Sequence, residues 1–374
     1  MLYHIVTFGC QMNVHESEKI AYILENKGYS FTPDREKADI IVFNTCAIRE
    51  GAEDRFLGNV GALKRQKKAN PNLLIAVCGC ATQKQSTAEY IKKTFPFVDI
   101  VIGTFNLANL GTYIEEAKNK RVFEQWQEGE LDETQGYNRT SGDNAWVNIM
   151  QGCNNFCTYC IVPYVRGREK SRKPENILNE IRQIVSEGKY KKITLLGQNV
   201  NSYGKDLQPQ MTFTQLLKEI SKIEGDFQIT FMTSHPKDIT DELIEEIACN
   251  PKMIKSLHLP AQSGNNRILK LMNRNYTREK YLQIIQKIKA LVPNIVLTSD
   301  FIVGFPTETE EEFLDTLDLV RQVKFASIFA FMYSPREGTV AAKMDGQVAD
   351  EIKHERVNRL LNLEKQIQKE AKHG

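Results

Sequence analysis

Three cysteines close together in the sequence constrain this chain more than any other feature. Cys153, Cys157 and Cys160, here called the loop triplet, have C-x-x-x-C-x-x-C spacing, so one loop can bring three thiols to a single metal centre. Zinc sites usually pair their cysteines and take a fourth ligand from a distance, yet no other cysteine or histidine follows within the next twenty residues. Three thiolates on a four-iron cluster leave one iron open to another ligand. The spacing therefore favours an iron–sulfur cluster, with a zinc site or a disulfide as the alternatives.

The length and composition indicate a folded protein of two domains. With 374 residues the chain is too long for one ordinary core, and its 26% charged residues are typical of globular proteins. The formal net charge of +2 requires any nucleic-acid affinity to come from local basic patches. Neither a membrane-length apolar run nor a signal-peptide pattern is visible, so we expect a cytoplasmic protein with no membrane partner. In a reducing compartment its eight cysteines are more naturally thiols or metal ligands than disulfides.

The N-terminal third alternates helical patterns with apolar runs typical of buried strands, at residues 2–8, 39–43, 73–77 and 98–102. This alternation predicts an α/β fold whose N-terminal domain is a doubly wound parallel sheet. Cys10, Cys46 and Cys80, here called the sheet triplet, each come just after one of the first three runs. Because the carboxyl ends of parallel strands share one ligand-binding edge, these thiols could converge on a second cluster. Each could instead be a buried structural cysteine, the role we assign to Cys78 and Cys249.

A polar stretch without periodicity, residues 121–144, predicts a linker. Beyond it, strand-like runs alternate with helical patterns, at residues 146–150, 192–196, 228–233, 256–259, 295–303 and 327–333. These runs are two short of a full eight-stranded barrel. The last segment, residues 350–372, has the pattern of one charged helix. We therefore expect a partial barrel followed by a long helix.

Several longer segments carry a resemblance to one family. They are GCQMNVHESE, NTCAIRE and the GC pair at 79–80 in the N-terminal part, and CNNFCTYCIVPYVRGRE, LLGQNVNSYG, TSHP, HLPAQSGN, DFIVGFPTETEEEF and YSPREGT beyond it. Together they resemble the radical S-adenosylmethionine (SAM) methylthiotransferases. The resemblance implies a methylthiotransferase cluster domain at residues 1–120 and a radical SAM domain, a partial (β/α)6 barrel, at residues 145–372. Family members usually end in an RNA-binding barrel called TRAM, and this sequence shows no such run of short strands before it stops at Gly374.

The resemblance also implies the chemistry. The loop triplet would hold a 4Fe–4S cluster whose open iron binds SAM, and an electron passed to that cluster would cleave SAM into methionine and a 5′-deoxyadenosyl radical. The sheet triplet would hold a second 4Fe–4S cluster suited to carrying sulfur. The implied reaction adds a methylthio group to carbon 2 of N6-isopentenyladenosine at position 37 of tRNA, with a second SAM as methyl donor. Its partners would be the anticodon stem-loop of tRNA, an electron donor such as flavodoxin or ferredoxin, and a sulfur source.

Candidate SAM contacts lie toward the ends of the predicted barrel strands. They are Gln198, Asn199, Ser234, Gln262, Ser263 and Asp300. Each could instead serve in ordinary turn or strand-capping chemistry. His235 and His258 lie close to them in sequence, but nothing nearby completes an acid–base or metal pair, so we expect structural roles for both.

A basic stretch directly after the loop triplet, VRGREKSRK at residues 165–173, is the predicted RNA contact. Its candidate residues are Arg166, Arg168, Lys170 and Arg172, which would hold the backbone of the anticodon loop near the radical chemistry. The alternative is a solvated basic face.

Two other functions are compatible with the sequence. The same chemistry could act on threonylcarbamoyladenosine in tRNA or on an aspartate of a ribosomal protein, which are targets of related enzymes. A protein of another class, a non-catalytic metal-cluster protein that binds RNA, would show no SAM cleavage.

Overall fold

The computed structural model of the chain describes residues 1–47, 51–126, 128, 129, 131, 133, 136–140 and 142–373. They fall into two compact units: Met1–Gly142 with Val162–Lys170, and Asp143–Ile161 with Ser171–Gly374. The division at residue 142 falls inside the predicted linker, several of whose residues lie outside the described ones, as do residues 48–50 of the NTCAIRE segment. Residues 162–170, which sequence analysis assigned to the barrel, group with the N-terminal unit. Among the described residues, none of the helices combines the length and apolar character needed to cross a bilayer.

The N-terminal unit is built on a fully parallel sheet. Its described strands are β1 (Leu2–Thr7), β2 (Ser30–Phe31), β3 (Ile40–Thr45), β4 (Leu74–Gly79), β5 (Ile100–Ile102) and β6 (Val122–Glu124), in the order β2-β1-β3-β4-β5-β6. The predicted doubly wound parallel sheet and four of its strands, β1, β3, β4 and β5, are therefore confirmed. Sequence analysis missed β2, which has only two residues, and β6, which lies in the polar stretch that was assigned to the linker.

Helices cover both faces of this sheet. They are α1 (Gln11–Asn26), α2 (Ala52–Ala62), α3 (Lys64–Ala69), α4 (Cys80–Gln83), α5 (Gln85–Thr94), α6 (Leu110–Ala117) and α7 (Val162–Arg166). Successive residues of β3 point to opposite faces: Ile40 packs in one core with side chains of α1 and α6, and Ile41 packs in the other with side chains of α2 and α5. Because helices cover both faces of the sheet, its strands have continuous apolar sequences.

The second unit is a partial barrel. The strands from its start onward are β7 (Asn144–Asn148), β8 (Met150–Gln151), β9 (Lys170–Ser171), β10 (Lys192–Leu196), β11 (Gln228–Phe231), β12 (Ser256–His258), β13 (Val296–Val303) and β14 (Ser327–Met332). Within the described residues, β7-β10-β11 and β12-β13-β14 form two parallel sheets, and a parallel bridge between Ile229 and Met253 leads from one to the next. This confirms the predicted partial (β/α)6 barrel.

Helices pack on one face of the barrel strands. They are α8 (Pro174–Ser186), α9 (Phe213–Ser221), α10 (Asp241–Cys249), α11 (Asn266–Leu271), α12 (Arg278–Leu291), α13 (Glu310–Val323) and α14 (Asp350–His373). Local chemistry fixes their starts. Thr309, for example, accepts a hydrogen bond from the Glu312 N–H, while the Glu312 carboxylate accepts one from the Thr309 N–H. Cys249 is exposed at the end of α10, so the core role predicted for it is wrong.

A glycine fixes the entry into α4, directly before Cys80. Gly79 has a φ of +101°, and a β-carbon there would lie 2.5 Å from the carbonyl oxygen of Thr45. We expect Gly79→Ala to lower the free energy of unfolding by about 1–3 kcal/mol, because both the backbone strain and the contact are unfavourable. Urea unfolding of the two proteins measures the difference.

The matched control is Gly58→Ala in the exposed middle of α2. A β-carbon at Gly58 meets nothing within 4 Å, so alanine should raise stability by up to about 1 kcal/mol through its helix propensity. A Gly79→Ala protein as stable as the parent would contradict the close approach of α4 to β3.

Candidate metal centres and ligand site

The sheet triplet converges at one edge of the N-terminal sheet. Its members follow β1, β3 and β4, which are neighbours in the sheet order. Cys46 and Cys80 are fully buried, and Cys10 is partly buried at the start of α1. Gly9 lies against the loop that follows β3, since a β-carbon at Gly9 would lie 2.7 Å from the Cβ of Cys46. Thiols separated by more than thirty residues of sequence are thus brought into one place.

Two buried asparagines fasten the first two loops of this edge together. The amide of Asn13 donates to the side-chain oxygen of Asn44 at 3.2 Å and to the carbonyl oxygen of Thr45 at 3.0 Å. The amide of Asn44 donates in return to the carbonyl oxygen of Asn13 at 2.8 Å. Sequence analysis gave these residues no role at the cluster edge, although both lie inside the GCQMN and NTC segments beside the cysteines.

Burial opposes the ionisation of the Cys80 thiol. It raises the pKa of Cys80 to about 12, and the positive charge of Arg166 opposes that rise. Burial likewise raises the pKa of Cys78, which packs in the sheet core as predicted and donates to the carbonyl oxygen of Phe43 at 3.5 Å. A metal centre would supply the charge needed to make Cys80 a thiolate ligand.

The loop triplet follows β8, and polar contacts from the end of α11 hold its loop in place. The amide of Asn273 donates to the carbonyl oxygens of Asn155 and Phe156, at 3.0 Å each. Thr158 donates through its N–H to the carbonyl of Met272 and through its hydroxyl to that of Leu271. Two of the triplet's thiols, those of Cys153 and Cys157, are largely buried. The loop is therefore preorganised by the protein before any ligand binds.

A buried arginine lies against the loop triplet. Arg274 approaches the sulfur of Cys157 to 3.7 Å through Nη1 and donates through Nη2 to the carbonyl oxygen of Pro260 at 2.7 Å. Burial alone would lower the pKa of Arg274, but Tyr276 and other nearby groups raise it, so its charge is retained. Sequence analysis missed Asn273 and Arg274; the only signal was a polar pair where the apolar pattern of α11 stops.

Three thiols at one place are the donor set of a four-iron cluster that leaves one iron open. Among the described residues, no group of three His, Cys, Asp or Glu side chains has the geometry of a site for one metal ion, and no cysteine there forms a disulfide. In a four-iron cluster each thiolate binds a different iron, so the three sulfurs do not converge on one ion. Each triplet also has a buried cation beside it, which suits an anionic thiolate cluster.

Three predicted SAM contacts carry buried polar atoms that lack a partner within the described structure. These atoms are Asn199 Oδ1, Ser234 Oγ and Gln262 Oε1. Their residues follow β10, β11 and β12, at the carboxyl ends of parallel strands. A buried polar group without a partner costs about 1–3 kcal/mol, so three at one edge indicate a polar ligand. The donor and acceptor chemistry here fits the amino acid and ribose groups of SAM.

The other predicted contacts already have partners in the protein. Gln198 accepts a hydrogen bond from the Gly152 N–H at 2.6 Å and so supports the cysteine loop. The hydroxyl of Ser263 accepts from the Asn265 N–H at 3.2 Å, just before α11. Asp300 lies 3.3 Å from Nε2 of His258. Whether any of them also contacts SAM stays a prediction.

The two histidines differ in their surroundings. His258 contacts Asp300 through Nε2 and the Thr298 hydroxyl through Nδ1, at 2.9 Å, so it does have a carboxylate partner. Sequence analysis found none because Asp300 lies on the adjacent strand. His235 is buried, and its Nδ1 accepts from the Lys237 N–H at 3.3 Å, which agrees with a structural role.

Two of the four predicted RNA contacts are buried in ion pairs. Arg166 is 2% exposed and makes a bidentate pair with Glu16, at 2.7 and 3.1 Å. Arg172 pairs with Glu180 at 2.7 Å. A guanidinium that is buried and paired is not available to a phosphate, so the RNA role predicted for Arg166 and Arg172 is corrected here. Arg168 and Lys170, by contrast, are exposed.

Comparison with known proteins relates both units to described families. Residues 147–320 match the radical SAM superfamily, and residues 2–103 match the uncharacterized protein family UPF0004. The tRNA-2-methylthio-N(6)-dimethylallyladenosine synthase of Clostridium botulinum (strain Hall) is 55% identical over 368 residues, which cover 98% of this chain and 82% of the relative. The enzyme of the same name from Thermoanaerobacter pseudethanolicus is 53% identical over 372 residues, covering 98% and 78%.

Solved structures share the fold at low sequence identity. The radical S-adenosylmethionine methyltransferase TsrM from Kitasatospora setae superposes with a TM-score of 0.68 and 14% identity, covering 91% of this chain and 77% of that one. The cobalamin-dependent S-adenosylmethionine radical enzyme OxsB gives a TM-score of 0.61 and 13% identity, covering 97% and 56%. These similarities support the α/β architecture.

The protonation of His235 predicts a pH dependence of stability. Burial, reinforced by the nearby charge of Arg274, lowers the pKa of His235 from 6.5 to about 2. Below pH 6.5 the unfolded chain therefore binds a proton that the folded chain does not. Stability should fall with falling pH in that range by up to roughly 1.4 kcal/mol per pH unit from this group. His235→Gln should flatten the pH dependence of urea unfolding between about pH 5 and 6.5.

The control is Asn362→Gln on the exposed surface of α14, which changes no ionisable group and should leave that pH dependence as in the parent. A His235→Gln protein with an unchanged slope would show that the ring takes up its proton in the folded state.

Proposed function

We propose a function on the premise that this chain belongs to the radical SAM methylthiotransferase family of the tRNA-2-methylthio-N(6)-dimethylallyladenosine synthases. It adds a methylthio group to carbon 2 of N6-dimethylallyladenosine at position 37 of tRNA. The observation that carries the proposal is the presence of two separate cysteine triplets, each collected at one place in its own unit and each beside a buried cation. In this proposal residues 1–120 form the cluster domain and residues 145–372 the radical SAM domain.

The residues divide the work between the units. Two 4Fe–4S clusters and SAM, when bound, supply the electron transfer, the radical reactivity, the sulfur and the methyl group. The loop triplet holds one cluster, and Arg274 keeps a positive charge against Cys157. Asn199, Ser234 and Gln262 direct their unpartnered polar atoms to SAM. The sheet triplet holds the other cluster at the sheet edge, where Cys46 and Cys80 are fully buried.

An open face of the barrel strands offers a place for the adenine. Side chains alternate along β13, so that Thr298 and Asp300 lie on the face opposite the helices. Asp300 pairs with Phe329 and Ile302 with Phe331, which puts both rings on that same face. The two phenylalanines are 51% and 50% exposed. We assign them to the purine ring and its apolar dimethylallyl group.

The remaining partners follow from the reaction. Arg168 and Lys170 are the basic residues proposed to contact the anticodon stem-loop backbone. An electron donor such as flavodoxin or ferredoxin and a sulfur source would complete the cycle in the cytoplasm, where tRNAs are found.

The two roles of the clusters are tested with Cys46→Ala. Two four-iron clusters give about eight irons per chain, and the variant should retain about four. It should still cleave SAM into methionine and 5′-deoxyadenosine, because the loop triplet is intact, but should form no methylthiolated nucleoside. Iron and sulfide counting on anaerobic protein and mass spectrometry of tRNA nucleosides measure both.

Cys78→Ala is the matched control, since Cys78 lies two residues from Cys80 but packs in the sheet core. It should keep the full iron content and the product. Full iron retention in Cys46→Ala would exclude the second cluster, and methylthiolated product from that variant would show that sulfur takes another route.

The aromatic assignment is tested by replacing Phe329 and Phe331 together with Ala. Loss of base stacking, on the order of 1–3 kcal/mol per base, should weaken binding of a dimethylallylated anticodon stem-loop roughly tenfold or more. Binding of the unmodified stem-loop should change less, so the preference between the two RNAs narrows. Fluorescence anisotropy with both RNAs measures it.

Phe31→Ala serves as the control, because Phe31 is 57% exposed on β2 of the N-terminal sheet. It should leave the preference intact. If the double variant keeps the parent's preference for the dimethylallylated stem-loop, the open face does not bind the modified base.

A further inference from the structure

A buried arginine lies near the sheet triplet, and the proposed function assigns it no specific role. Arg166 ends α7, which packs against α4, the helix that begins with Cys80. Its guanidinium makes two hydrogen bonds with the carboxylate of Glu16, at 2.7 and 3.1 Å. Glu16 lies on α1, six residues after Cys10. The ion pair therefore joins α1, which begins just after Cys10, to α7, which packs against the helix that begins with Cys80.

The two charged groups lie near the sheet triplet and have opposite signs. Arg166 is buried on α7, which packs against α4, and Glu16 follows Cys10 by six residues on α1. The thiolates of a bound cluster would attract the guanidinium and repel the carboxylate, so the two groups would act on the cluster in opposite directions.

The free-energy cost of burying Arg166 indicates that this residue does more than pair with Glu16. Taking an arginine out of water costs several kcal/mol, and one carboxylate in low dielectric often does little more than balance that cost. Arg166 and Glu16 alone are neutral as a pair. Three cysteine thiolates bring further negative charge to the same edge, and a guanidinium meets that charge with a fixed, permanent cation that lysine does not reproduce.

We propose that Arg166 is a positioning residue for the second cluster, where its guanidinium offsets the thiolate charge and raises the reduction potential, while Glu16 lowers it. The proposal rests on the assignment of a four-iron cluster to the sheet triplet. Net charge and hydrogen bonding around the sulfurs are the means by which a protein sets the potential of such a cluster. Through this pair the protein controls how readily the sulfur-carrying centre accepts an electron.

The position of Arg166 in the sequence adds a second consequence. It follows Cys160 by six residues, and Val162–Lys170 groups with the N-terminal unit. The segment that carries the loop triplet thus continues directly into the residue that balances the sheet triplet. One stretch of sequence, CTYCIVPYVRGRE, serves both cysteine sets.

A purely structural ion pair is the competing explanation. If the Arg166–Glu16 pair only holds α7 against α1, replacing either residue should lower the stability of the protein. Any effect of the two replacements on the midpoint potential would then have the same sign. A pair that sets a potential gives opposite signs, because one variant removes a positive charge and the other a negative one.

The experiment uses the full chain with Cys153, Cys157 and Cys160 replaced by Ala, so that only the sheet triplet can hold a cluster. After anaerobic loading with iron and sulfide, a redox titration followed by electron paramagnetic resonance gives the midpoint potential. Relative to this parent, Arg166→Gln should lower the midpoint and Glu16→Gln should raise it. Arg166→Lys should fall between Arg166→Gln and the parent. Arg168→Gln, two residues away and exposed, should leave the midpoint unchanged.

Opposite shifts support the proposal, whereas equal midpoints in the Arg166→Gln and Glu16→Gln proteins overturn it. If Arg166→Gln binds no iron, Glu16→Gln decides alone: a raised midpoint supports the proposal and an unchanged one overturns it. A parent that binds no iron would overturn the proposed function itself. An iron-loaded parent with unmoved midpoints would overturn this inference only.

Discussion

The chain depends on one geometric constraint: parallel strands end at a common edge, so the residues that follow them meet there whatever their separation in sequence. In the N-terminal unit this constraint places a cysteine after each of β1, β3 and β4. In the barrel it places Asn199, Ser234 and Gln262 after β10, β11 and β12. The apolar interiors of the strands fix the register, and the short polar segments beyond them are left to carry the chemistry.

Burial gives these edges their chemical character. A thiol such as Cys80 is costly to ionise in an apolar setting, and the buried cation Arg166 lowers that cost. Arg274 stands in the same relation to Cys157. Both arginines are themselves costly to bury, and the thiolates of a bound cluster would offset that cost. The unpartnered oxygens at the barrel edge are costly for the same reason. A ligand that forms hydrogen bonds with them removes that cost, and this favours its binding.

Much of this could be predicted from the sequence, and the failures have physical causes. Strand–helix alternation gave the parallel sheet and the partial barrel, since burial on both faces leaves continuous apolar runs. Very short strands such as β2 escaped, because a period needs several residues to appear. The predicted RNA contact of the basic stretch after the loop triplet was wrong for Arg166. A charged residue is expected at the surface, yet Arg166 is buried against the carboxylate of Glu16, 150 residues away in the sequence.

The sequence by itself determined which residue types are present and which follow strands, and therefore the two cysteine triplets, the fold class and the resemblance to a family. Only the tertiary structure decided how each charge is used. Partners such as Glu16 for Arg166, Asp300 for His258 and Asn273 for the cysteine loop lie far apart in the chain or on a neighbouring strand. Periodicity reports which face of an element a side chain takes, but not what stands opposite that face once the elements pack.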